Sequence, residues 1–259
     1  MRKKAVTSLC CSASLLALSW ARPTAAHTQV DHMAWDLLLN RHVASGLVDY
    51  EGLRQDRATL DRYVASLQAV QPSQLGSREA QLAFWINAYN ANIVKGVLDH
   101  APLTSVKEVK GFFDRVRYRV GGRDLTLNEI EGEGRALGDW RIHFAVVCAS
   151  SSCPLLRAEA YAADRLDAQL AEQTRQFLDN PQRGLRIEGG TLWVSKIFDW
   201  YTTDFVPAKE LGLLRRLTPE KLLPPIEPYL DRHIAQAIRS KPLSISFLDY
   251  DWSLNAQHR

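Results

Sequence analysis

Residues 141–154 read RIHFAVVCASSSCP. An apolar run carrying His143 ends in two cysteines, Cys148 and Cys153, with four residues between them. How this run folds decides what can be built around it. Residues 142–147 are too few for a typical helix and are followed by a serine-rich loop, so they predict a buried strand. On one straight strand residues 143 and 148 face opposite sides, so imidazole and sulfur share a cavity only if the chain bends before Cys148.

Upstream, residues 116–127 alternate, turn at Gly121-Gly122 and alternate back, which predicts a β-hairpin. Thr126 and Glu129 have capping-box spacing and open a short helix that carries Glu131 and is cut short by Gly132 and Gly134. Residues 77–98 are apolar over much of the helical circumference, through Leu82, Phe84, Trp85, Ile86, Tyr89, Ile93, Val94 and Val97, which predicts a core helix. Its Asn87 and Asn90 share a face. They fit either buried amides that tie backbone groups or polar groups that meet a substrate. Farther upstream, residues 30–43 and 60–67 predict two surface helices.

Downstream, residues 166–177 predict an amphipathic helix, and residues 185–194 a second hairpin around Gly189-Gly190. The aromatic stretch 195–205 follows. Thr218-Pro219-Glu220 announces a helix that Pro224-Pro225 should break, residues 228–238 predict another, and 244–254 a closing strand. Helices interspersed with hairpins predict an α+β single domain with a helical N-terminal part and a mainly antiparallel sheet.

The chain has 259 residues, 46% hydrophobic and 24% charged, the make-up of a globular protein with one large core. Residues 1–26 read as a secretory signal, with Arg2, Lys3 and Lys4, an apolar stretch, and small residues at Thr24-Ala25-Ala26. The apolar part is shorter than the roughly 20 residues of a spanning helix, and Arg22 interrupts it, so no transmembrane segment is expected after signal removal. Cys10 and Cys11 would leave with it. A helical segment over 27–76, a core domain over 77–255 and a tail over 256–259 complete the expected organisation. Without residues 1–26 the formal charge falls from +3 to −1, 28 basic against 29 acidic residues. With no basic block left, nucleic-acid binding is not expected. Export to the periplasm or medium would leave Cys148 and Cys153 as the two cysteines, facing an oxidising compartment.

Five stretches in order carry a resemblance: Phe84-Trp85-Ile86-Asn87-Ala88-Tyr89-Asn90-Ala91, Leu127-Asn128-Glu129-Ile130-Glu131, Arg141-Ile142-His143-Phe144 through Cys148 to Ser152-Cys153-Pro154, Ser195-Lys196-Ile197-Phe198-Asp199-Trp200-Tyr201, and Tyr250-Asp251-Trp252-Ser253-Leu254-Asn255. Together they resemble the domain-of-unknown-function family 547 across residues 81–255. The resemblance implies an uncharacterised, often exported domain with a fold similar to papain-like or transglutaminase-like thiol enzymes. In the family pattern a histidine follows the Ile-Glu pair, where this chain has Gly132.

A thiol enzyme needs a stabilised thiolate, a base and a group that orients the base. Cys148 at the end of the run and Cys153 before Pro154 both qualify as the nucleophile, with His143 as base and Glu131 as orienter. Trp200 and Tyr201, flanked by Asp199 and Asp204, fit aromatic packing or ligand stacking. The competing reading is a Cys148–Cys153 disulfide that locks the loop of a non-catalytic binding domain. The spacing of Glu131, His143 and the cysteines matches no standard zinc pattern, so neither a metal nor another cofactor is expected. The two functions in view are an exported thiol-dependent amide hydrolase or acyltransferase, acting on a peptide-like or cell-wall substrate, and an exported domain that binds a protein partner.

Overall fold

The computed structural model describes residues 30–212 and 216–257. The signal expected over residues 1–26 lies outside these. Among the described residues, no helix is long and apolar enough to cross a membrane.

The long helix Arg78–His100 begins where the Ser77 side chain accepts the Ala80 N–H, satisfying one of the free donors of its first turn. It is buried on nearly every face from Leu82 to Leu98, as its apolar circumference requires. Helix Arg57–Ser66 packs beside it, helix Met33–His42 packs against Arg57–Ser66, and the short helix Leu127–Arg135 lies against the long helix. Together they enclose a first apolar cluster that includes Trp35, Leu60, Phe84, Ile86 and Ile142. A second cluster gathers Phe144, Phe177, Phe198, Phe205, Leu222 and Ile226.

Both glycine hairpins form where the alternation places them. Arg117–Val120 pairs antiparallel with Arg123–Thr126, with Val120 opposite Arg123. The turn residues Gly121 and Gly122 have φ of 60° and 75°, the left-handed pair that a tight two-residue turn demands. The capping box that opens Leu127–Arg135 is complete, with Thr126 and Glu129 each bonding the other's backbone N–H. Leu185–Glu188 pairs antiparallel with Thr191–Val194, and Ser244–Phe247 adds to the latter in parallel. The fold is the expected mixture of helices and small sheets.

Three elements differ from expectation. Residues 142–147 are not a strand: Trp140–Phe144 is a 3-10 helix, and irregular chain follows to Cys148. Asp139 caps this turn by accepting the Arg141 N–H, and Ala145 and Val146 N–H both bond the Ile142 carbonyl. The next backbone groups need no neighbouring strand, because the Asn90 side chain donates to the Ala145 carbonyl and accepts from the Val147 N–H, both at 2.9 Å. The turn also sends Ile142 into the first cluster and Phe144 into the second. Secondly, Pro224-Pro225 does not break its helix, which runs Pro219–Ile226 because Leu222, Leu223 and Ile226 are buried along it. The next helix is Arg232–Ser240, capped by Asp231. Thirdly, the closing strand is only Ser244–Phe247, and residues 250–257 serve as a strap over the cysteine loop.

Candidate active site

A cavity of about 270 Å³ opens where the cysteine loop, the Leu127–Arg135 helix, the 3-10 turn, the short helix Ile197–Trp200 and the strap converge. Its wall includes Cys148, Cys153, Glu131, His143, Trp200 and Tyr201, so six of the residues singled out in the sequence meet here. Tyr89, Phe113, Asn128, Tyr250 and Trp252 also line it.

The sulfur of Cys148 lies 3.1 Å from Ser150 Oγ, 3.2 Å from Tyr250 Oη and 2.8 Å from Cys153 Sγ. The Cys148 N–H donates to Cys153 Sγ at 2.9 Å. Burial alone would push the Cys148 thiol up, but hydrogen bonds from Cys153, Ser150 and Tyr250 stabilise its thiolate and bring it down to about 7. Burial and the neighbouring Cys148 push the Cys153 thiol well up. Both cysteines are free, and their sulfurs are farther apart than the ~2.05 Å of a disulfide bond. The locking disulfide of the competing reading is therefore not present.

The loop that carries these sulfurs is held from the far side. Ala149 takes φ of 62°, a left-handed conformation rarely adopted by a residue with a side chain. The strap fixes it: Asn255 N–H bonds the Ala149 carbonyl, Ser151 N–H bonds Ser253, Ser152 N–H bonds Asp251, and Asp251 N–H bonds Ser152 Oγ. The strap is anchored in turn by the Tyr50 hydroxyl, which donates to Asn255 at 2.8 Å.

His143 is oriented by Asp204, at 2.8 Å from its Nε2, in place of the Glu131 expected for that role. Arg135 grips the same carboxylate with two nitrogens, Nε at 2.8 Å and Nη2 at 3.0 Å. The bond from His143 comes first among the causes that hold Asp204 well below the usual carboxylate range; burial opposes it and Arg135 adds to it. The imidazole packs on Tyr201, with ring centroids 4.1 Å apart, and the Arg135 guanidinium lies 4.7 Å from the Tyr201 ring centre. Asp204 lies in the short helix Thr202–Phe205, three residues after Tyr201.

Glu131 is 7% exposed, and its Oε1 has no hydrogen-bond partner. Burial raises its pKa, partly offset by the Tyr201 hydroxyl and the nearby His143. It is thus a carboxyl group with one oxygen available to whatever enters. Gly132, where the family pattern has histidine, faces open space: an added Cβ would meet nothing within 4 Å.

The cavity rim is aromatic. Trp200 is 47% exposed and packs on Tyr250 and Trp252, with centroids 4.8 and 5.9 Å away. Asn87 and Asn90 are not in the wall. Asn87 donates to the Tyr161 carbonyl and accepts its N–H, and Asn90 holds residues 145 and 147 as described, so both amides are spent on backbone. Asp199 lies near Lys196 at the surface, and Asp251 accepts the Ser253 N–H. Among the described residues no group of three histidine, cysteine, aspartate or glutamate side chains is placed to hold a metal ion.

Fold and cavity define an α+β protein with a half-buried and a buried thiol in contact beside a histidine–aspartate–arginine cluster. Residues 72–178 match the model of the family described as a protein of unknown function, DUF547. The matched segment contains Glu131, His143, Cys148 and Cys153, while Trp200, Tyr201, Asp204 and Tyr250 lie beyond it. No curated protein and no solved structure matches the chain.

Proposed function

We propose that the chain is a thiol-dependent amide hydrolase or acyltransferase, with Cys148 as nucleophile, acting on peptide-like or cell-wall material. The observation that carries this reading is the set of donors around Cys148 Sγ at the wall of an open cavity. A thiolate stabilised by hydroxyl donors does not need a base in contact with it. His143 is then free for the other proton transfers. Its Nε2 is committed to Asp204, which leaves Nδ1 to exchange a proton with the substrate.

In the first step the Cys148 sulfur bonds the carbonyl carbon, the C–N bond breaks, and the amine leaves with a proton from His143. In the second, water or another acceptor attacks the thioester, gives its proton to His143, and the C–S bond breaks to restore Cys148. Asp204, fixed by Arg135, stabilises the imidazolium that gives up its proton in the first transfer and is restored by the second. Glu131 Oε1 is the polar group available to the amide, and the Trp200 and Trp252 rings flank the opening.

An activated peptidyl ester, followed by intact-mass analysis, tests the reading. The reduced protein is expected to gain one acyl group on Cys148; Cys148→Ser gains none, and His143→Ala retains the acyl group longer because deacylation slows. Absence of any acyl adduct on Cys148 with both ester and thioester probes overturns it. The leader read from residues 1–26 supports a site of action outside the cytoplasm, and fractionation of cells expressing the full chain checks it.

A further inference from the structure

Acyl transfer as proposed gives Cys153 no chemical part. Yet its sulfur lies directly behind the reactive one, 2.8 Å away, and accepts the Cys148 N–H. The two are inequivalent in position. Cys148 is half-buried, whereas Cys153 is 5% exposed. An accessible attacking thiol backed by a buried thiol in contact with it is the arrangement that thiol–disulfide exchange requires, because the first sulfur meets the incoming disulfide and the second resolves the mixed product.

We propose that Cys148 and Cys153 form a thiol–disulfide exchange couple that reacts with low-molecular-weight disulfides entering the cavity. The inference rests on Cys148 being the nucleophile assigned above, and not on acyl chemistry. In the forward direction the Cys148 thiolate attacks one sulfur of RSSR; an S–S bond forms between Cys148 and R, and RS⁻ leaves. Cys153 then attacks the Cys148 sulfur, its proton passing to the second RS⁻ as that group departs. The products are the Cys148–Cys153 disulfide, the first RS⁻ and one RSH, with the two protein sulfurs oxidised and RSSR reduced.

The backbone is already arranged for the second step. The left-handed Ala149 turns the chain back after Cys148, and the strap holds Ala149, Ser151 and Ser152 from outside, so the two sulfurs are presented to each other by a fixed loop. Closure needs a sulfur approach of less than an ångström, to the ~2.05 Å of the bond. Opening is favoured by the same groups that serve the nucleophile: Ser150 and Tyr250 donate to the Cys148 thiolate, which exists only in the reduced state. Stabilising the reduced form makes the oxidised form the better oxidant. Trp200, Tyr250 and Trp252 supply a wall for the organic part of a mixed disulfide. Because the disulfide consumes Cys148, oxidation also silences the acyl-transfer nucleophile.

The full-length protein is first reduced, freed of reductant, and then exposed to oxidised glutathione, with acid quenching and intact-mass analysis. The expected product is a species lighter by two hydrogens, reversed by dithiothreitol, with the linkage mapped to Cys148 and Cys153 by digestion. Cys153→Ser is expected to stop at a glutathionyl adduct on Cys148, and Cys148→Ser to form neither product; circular dichroism confirms that each variant is folded. A wild-type protein that keeps the glutathionyl adduct as Cys153→Ser does, or that remains fully reduced while its Cys148 still alkylates, overturns the proposal. The ester probe, applied to the reduced protein, reads the acyl chemistry separately, so either activity can fail without the other.

Discussion

At Cys148 burial and hydrogen bonding pull the thiol in opposite directions, and Tyr250 is one of the groups that tips the balance. Tyr250→Phe removes one donor from the thiolate and leaves the ring in place. A hydrogen bond to a charged group contributes about 1.5 kcal/mol, close to one pKa unit, so the apparent thiol pKa should rise by about one unit. Iodoacetamide alkylation followed against pH checks this; a variant with an unchanged profile would remove Tyr250 from the account. Asp204 gives a second prediction, with the sign set by its depressed pKa in the folded state. Such a carboxylate contributes stability above its unfolded value of about 4, and the contribution is lost as pH falls from there through the lower folded value. Asp204→Asn should therefore destabilise by about 2 kcal/mol at neutral pH and flatten the loss of stability in acid, as denaturant titrations at several pH values will show. Of these residues Cys148, Cys153, His143 and Glu131 were legible in the sequence as reactive types crowded into a short span. That His143 bonds Asp204 was not, because 61 residues separate them and only the fold brings the carboxylate round.

The elements were legible where local chemistry decides them. Gly-Gly turns between alternating runs, a Thr–Glu capping box and an apolar helical circumference all act within a few residues, and each formed where it was read. The 142–147 run failed this test for a physical reason. Five apolar residues and a histidine without a periodicity of their own take whatever backbone partner the tertiary structure offers, and here the offer came from Asn90 on another helix. The Leu127–Arg135 helix carries a different local cost. Gly132 sits in its interior with open space where a side chain would go, and glycine loses more backbone freedom there than alanine does. Gly132→Ala is expected to raise stability by about 0.5–1 kcal/mol in a urea titration while Glu131 and Arg135 keep their places.

Across the whole molecule, the two apolar clusters meet at the 3-10 turn that bears His143. Ile142 enters one and Phe144 the other, where its ring is 4.6 Å from Phe177 and 5.8 Å from both Phe198 and Phe205. Phe144→Ala should cost about 3–5 kcal/mol by opening a cavity in the second cluster. Because His143 is its neighbour, the same substitution should also slow release of the acyl group from Cys148. Tryptophan fluorescence during thermal unfolding, set beside the deacylation rate, tests whether packing and chemistry are coupled in this way. The strap was the least legible large-scale feature, since residues 250–257 carry no regular pattern and reveal their role only through the carbonyls and hydroxyls they reach.

That strap has a consequence for biosynthesis. Tyr250 lies 102 residues after the sulfur it serves. At about 5–20 residues per second a ribosome needs roughly 5–20 s to travel from one to the other. During that interval the emerging thiol lacks the tyrosine that would activate it, and the newborn polypeptide is spared a strong nucleophile until the surrounding walls have been translated.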